Sequence, residues 1–123
     1  MAARSKLAHP LRGEIYLVNF DPTLGAELQK TRPALILQND TSNQFSPITI
    51  VAGISSQFDR VLYPTEVSIV APEGGLDRDS VVLLNQIRSI DRQRLVKKLG
   101  IVSEATIEKI DRAIQISLGL VDR

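Results

Sequence analysis

The residues best suited to chemistry in this chain are one arginine and a pair of hydroxyls. Arg32 stands directly before Pro33 and the apolar run Ala34–Leu37, and Ser55 and Ser56 follow the apolar run Ile48–Ile54. Pro33 biases Arg32 away from helix and toward extended backbone. Proline is itself accepted as the first residue of a strand. A guanidinium held at a strand end offers parallel donors that match a phosphate. The bland alternative is an ordinary solvated arginine flanking a strand. If the second and third strands are antiparallel neighbours, the start of one faces the end of the other. The arginine and a hydroxyl then meet at one sheet edge. That pair suits a phosphodiester: the arginine stabilises charge developing on the phosphorus, and the hydroxyl orients the group or shares a proton.

Composition narrows the remaining chemistry. The chain has 123 residues and no cysteine, which removes disulfides, zinc–thiolate sites and thiol nucleophiles. Its only histidine is His9, so a buried histidine pair and a His-rich metal site are excluded. No apolar run reaches the ~20 residues of a membrane helix, and the N-terminus lacks the apolar core of a signal peptide. A cytoplasmic protein with no membrane partner is expected. The net charge of +1 does not announce a nucleic acid. Two local patches are basic: Arg4, Lys6 and Arg12 near the start, and Arg88, Arg92, Arg94, Lys97 and Lys98 against Asp91. They either guide a polyanion or are solvated faces.

The elements that must position these groups are short strands. The length fits one domain, read as a flexible tail over 1–12 and a folded unit over 13–123. Alternation predicts strands over Glu14–Phe20, Pro33–Gln38, Ile48–Ile54, Pro64–Val70 and Ser80–Leu84, the last continued by Ile87–Ile90 past a bend. Asn39–Asn43 and Pro72–Gly75 read as turns. Ile107, Ile110, Ile114, Leu118 and Val121 recur at helical spacing, with Ser103 as N-cap, Glu104 in the first turn and Gly100 as the preceding break. The fold class is mainly β with a C-terminal α-helix, as a small barrel or sandwich.

Four segments taken in order resemble the MazF/PemK family of toxins: Arg12-Gly-Glu-Ile-Tyr16, Phe20-Asp-Pro-Thr-Leu-Gly-Ala-Glu27, Thr31-Arg-Pro-Ala-Leu-Ile-Leu-Gln-Asn-Asp40 and Ser80-Val-Val-Leu-Leu-Asn-Gln-Ile-Arg-Ser-Ile-Asp-Arg92. The resemblance spans about Arg12 to Leu120. It implies a small SH3-like barrel of the MazF/CcdB/Kid type with a C-terminal helix, working as a homodimer. It further implies a sequence-specific endoribonuclease for single-stranded RNA, restrained by a MazE-like antitoxin. Neither a metal nor a cofactor is implied. Attack by the ribose 2′-OH would leave a 2′,3′-cyclic phosphate and a 5′-hydroxyl.

The family's catalytic arginine falls on Arg32 and its catalytic threonine on Ser55, where serine keeps the hydroxyl and loses the stiffening methyl. Ser56 is the alternative hydroxyl. Glu27 either contacts RNA, aids proton transfer, or points to water. The RNA groove implied by the resemblance runs past Tyr63, Pro64, Asn85 and Gln86. Gln86 either reads a base edge or satisfies backbone groups, and Tyr63 either stacks on a base or fills an apolar edge. The segment Gly25–Thr31 is bulkier than the glycine-rich loop of many relatives. The same barrel also carries toxins of the CcdB type, which bind DNA gyrase without cutting RNA, so fold alone does not decide function.

Overall fold

A computed structural model describes residues 9–20 and 31–122. Glu27 and the rest of 21–30 lie outside the described residues. Six strands and two α-helices follow in chain order: β1 (Glu14–Asn19), β2 (Thr31–Ile36), α1 (Asp40–Phe45), β3 (Ile48–Ser55), β4 (Glu66–Ile69), β5 (Ser80–Asp91), β6 (Leu95–Ile101) and α2 (Glu104–Ser117). They form one antiparallel sheet in the order β4-β5-β3-β2-β1-β6.

Side-chain alternation along each strand builds two apolar clusters, because successive residues point to opposite faces. Ile15, Leu35, Leu37, Ala52 and Ile54 pack with Ile110 and Ala113 of α2. Val18, Ala34, Ile36 and Val51 pack with Ile90, and Tyr16, Phe20 and Leu95 lie against them. Both faces of the central strands are therefore covered, as the apolar pattern of β1 requires.

The sheet is open, with β4 and β6 at its edges. Backbone contact stands where a closing strand pair would be. The turn Glu73–Gly75 abuts β6 so tightly that a Cβ on Gly75 would lie 2.0 Å from the Leu99 carbonyl oxygen, and one on Gly100 2.6 Å from Gly74. Gly75 also has φ +79°, a conformation that disfavours any side chain.

Three readings from sequence need correction. Asn39–Asn43 is not a plain turn, because α1 begins at Asp40. Its polar residues make the helix: the Asn39 side chain accepts from the Ser42 N–H at 2.7 Å. Asn43 is fully buried, donating to the Gln38 carbonyl at 2.9 Å and accepting from the Thr49 hydroxyl at 2.7 Å. The basic stretch ending in Lys97 and Lys98 runs into β6, and Gly100 lies inside that strand rather than breaking the chain. The helical stripe is shorter than expected. Ser103 caps α2 as read, but Leu118 is its exposed C-cap and Val121 lies beyond it. Gly119, at φ +74°, follows the end of the helix.

The bend expected in the fifth strand is present as a bulge. Ala52 pairs with Ile87 while Ile54 pairs with Val82, so Leu83–Gln86 of β5 face Gly53 alone. Such bulges re-aim side chains. Among the described residues, no helix is long and apolar enough to cross a membrane.

Candidate active site

Strand register brings the proposed pair together. β2 and β3 are antiparallel neighbours, with Ile36 opposite Val51, Leu35 opposite Ala52 and Ala34 opposite Gly53. Counting outward in the same register sets Arg32 across from Ser55. Pro33 pairs with Leu17 of β1 and stands just outside the β2–β3 ladder, where its missing N–H costs no bond to β3. The sequence Arg-Pro thus supplies a strand start whose first side chains are free of the core.

Arg32 and Ser55 line a cleft of about 900 Å³, together with Ser56, Gln86 and the bulge residue Leu83. Arg32 is exposed, and neither ion pair found among the described residues includes it. Its fork is available to an anion. Arginine stays protonated, so it binds and stabilises charge rather than acting as a base.

Ser55 is half-buried, and its hydroxyl is held by the backbone of one residue. The hydroxyl accepts from the Gln57 N–H and donates to the Gln57 carbonyl, both at 3.0 Å. The Ser56 side chain is exposed on the same wall. Gln86 reaches over Gly53: its Oε1 lies 4.0 Å from where a Cβ on Gly53 would be, so the glycine leaves room for the amide.

Not every residue selected from sequence meets in this cleft. Asn85 is exposed on the bulge but does not line it, and neither do Tyr63 and Pro64. Tyr63 is 66% exposed, with its backbone N–H bound to Glu66 at 2.9 Å. Pro64 borders a separate, smaller hollow between β4 and α2. Among the described residues no group of three His, Cys, Asp or Glu side chains is placed to hold a metal ion.

The cleft also holds groups that were not selected. Arg78, Arg88 and Phe20 line it. The Arg88 guanidinium sits 4.9 Å from the Phe20 ring centroid, a cation–π contact that steadies it. Arg88 was visible as part of a basic patch. Arg78 gave no signal in the sequence, where it stands between Asp77 and Asp79. Asp77 is the one carboxylate among the described lining residues, set against three arginines, so the wall favours an anion.

Comparison with known proteins gives the family of the chain. Residues 11–118 match the family described as PemK-like, MazF-like toxin of type II toxin–antitoxin systems. The chain is 46% identical over 111 residues to Endoribonuclease EndoA of Bacillus subtilis (strain 168), covering 90% of this chain and 96% of that protein. It superposes on a mycobacterial endoribonuclease solved with its cognate antitoxin, at TM-score 0.73 and 27% identity over 93% of this chain and 99% of that one. MazF of Deinococcus radiodurans superposes with the same score and identity, over 91% of this chain and 98% of that one. The chain belongs to the PemK-like, MazF-like toxins of type II toxin–antitoxin systems.

Proposed function

We propose that this toxin is an endoribonuclease that cuts single-stranded RNA at the cleft between Arg32 and Ser55. The observation that carries the reading is an exposed arginine, in no ion pair among the described residues, and a held hydroxyl that line one cleft at the ends of adjacent strands. In the reaction the ribose 2′-OH attacks the adjacent phosphorus and gives up its proton. The bond from phosphorus to the 5′ oxygen breaks, and that oxygen takes a proton. The products are a 2′,3′-cyclic phosphate and a 5′-hydroxyl, so DNA, lacking the 2′-OH, is not cut.

Arg32 grips the scissile phosphate and stabilises the charge that grows on its oxygens. Ser55 orients the same group, and Ser56 is the neighbouring hydroxyl. Gln86 reads a base edge through its amide. Asn85, Tyr63 and Pro64 extend the RNA path beyond the cleft, with Glu27 on the segment before β2. The protein works in the cytoplasm as a homodimer and needs no metal. A MazE-like antitoxin lays an acidic segment over the arginines and competes with phosphate. A gyrase-binding toxin of the CcdB type finds no support in the relatives reported above, of which the Bacillus subtilis and mycobacterial proteins are named endoribonucleases.

The test is incubation of the purified chain with a long RNA in EDTA, beside Arg32→Ala, with the cut ends mapped. Discrete cuts ending in cyclic phosphates and lost in the variant are expected. Cuts that survive in Arg32→Ala, or that need an added metal, overturn the reading.

A further inference from the structure

Three strand ends converge on Ser55, and only two have so far been given work. Ser55 closes β3 and pairs with Val81 of β5 on one side. On its other side the register sets Arg32 of β2. β5 begins at Ser80, so Arg78, two residues earlier, leaves the same end of the sheet on the β5 side of Ser55. Arg32 and Arg78 thus belong to the chain on either side of the strand that carries the Ser55 hydroxyl. Both side chains line the one cleft.

The loop that carries Arg78 is fixed on both sides. The Ser80 hydroxyl donates to the Arg78 carbonyl at 2.9 Å. The Asp79 carboxylate accepts from the Ala71 N–H at 2.9 Å. Leu76 is buried, and Gly75 before it abuts the β6 backbone. The Arg78 side chain itself is exposed and takes part in neither ion pair of the described residues, although Asp77 and Asp79 adjoin it in sequence. A rigid loop that presents a charged, unpartnered fork to a cleft loses little freedom when the fork is occupied.

We propose that Arg78 binds the RNA phosphate adjacent to the scissile one and so sets the register of the strand across Ser55. The assignment rests on the ribonuclease reading above. With Arg32 on the scissile group and Arg78 one linkage away, the strand is held at two points and cannot slide between them. Arg78 is thus a substrate-binding residue that positions the cut.

The test uses an RNA containing the mapped cleavage motif, with a 2′-deoxy sugar at the cut so that binding is read without turnover. Neutral methylphosphonates replace each flanking phosphate in turn. At one adjacent position the neutral linkage should weaken binding by the intact chain about tenfold, the size of one charge-assisted hydrogen bond. In Arg78→Gln the same replacement should cost almost nothing further. Arg78→Gln should also lower the slope of log affinity against log salt by about 0.7, the share of one single-strand phosphate. Arg78→Lys should restore that slope, which a merely structural role would not do. Additive losses at every flanking position, or coupling at the scissile position only, overturn the Arg78 assignment and leave the ribonuclease reading standing. An intact chain that cuts no RNA overturns the ribonuclease reading itself.

Discussion

At the cleft, Arg32 and Arg78 face solvent with no ion pair among the described residues, whereas around α2 and β6 the charges are engaged. Arg12 donates through Nε to the Leu37 carbonyl at 2.8 Å and through Nη2 to Asp111 of α2 at 2.6 Å. Buried Glu14 pairs with Lys98 of β6 at 2.8 Å, a bond that raises the lysine pKa. Glu73 accepts from the Ser103 N–H at 3.0 Å and the Thr106 hydroxyl at 2.6 Å, at the N-terminal turn of α2. One region uses charge to fasten elements; the other leaves it open to a ligand. The contrast separates residues whose loss unfolds the protein from residues whose loss disarms it.

Arg32→Ala should give the largest effect and lie wholly on the disarming side. A fall in kcat of about a hundredfold or more is expected, the scale for one transition-state donor, with the melting temperature unchanged. A matching fall in melting temperature would dissolve the contrast. Asn43→Ala should do the reverse. It strands the Gln38 carbonyl and the Thr49 hydroxyl in the interior, for a loss of about 2–3 kcal/mol in urea unfolding. A neutral result there would mean that water replaces the amide.

Ser55→Ala sharpens the comparison inside the cleft. About a tenfold loss in kcat is expected, the size of one hydrogen bond to a charged group, with a smaller one for Ser56→Ala. The reverse ranking would move the working hydroxyl to Ser56. Glu73→Gln is the mildest case and carries a pH signature. The bond from Thr106, aided by Ser103, holds the Glu73 carboxyl below its ordinary pKa of 4.5. Its contribution is therefore complete above that value and is lost as the pH falls through the lowered one. At pH 7 the variant should be less stable by ~1 kcal/mol, the scale of a helix cap partly screened by solvent. That gap should narrow steadily in unfolding measured at successively lower pH below 4.5; a gap that does not change with pH would show that shape, not charge, matters at this position.

The central strands were legible because their apolar alternation is strong on both faces, from Ile15 and Val18 through Leu35, Ile36, Val51 and Ala52. Arg32 and Ser55 were legible for the same reason, since the boundaries of β2 and β3 place them. α1 was hidden because nothing apolar drives it; its stability comes from the caps and bonds of Asn39 and Asn43, which polar sequence does not distinguish from a turn. β6 was hidden because it is an edge strand, and its lysines, which discourage pairing with another sheet, mask Leu95, Leu99 and Ile101. Arg78 could not be read at all. Its place depends on where β5 begins relative to Ser55, a tertiary fact that no local pattern encodes.

The close approach of Gly75 and Gly100 across the open side of the sheet has a genetic consequence. When a toxin is expressed without restraint, surviving cells are those whose copy has failed. Failures at the cleft would accumulate as full-length, folded and inert protein. Failures at these two glycines would be as frequent per site but would leave little protein to detect, because the backbone leaves no space for any side chain. Sequencing the survivors and blotting each should divide them into these two populations, and abundant, folded toxin with a bulky residue at Gly75 would show that the seam yields.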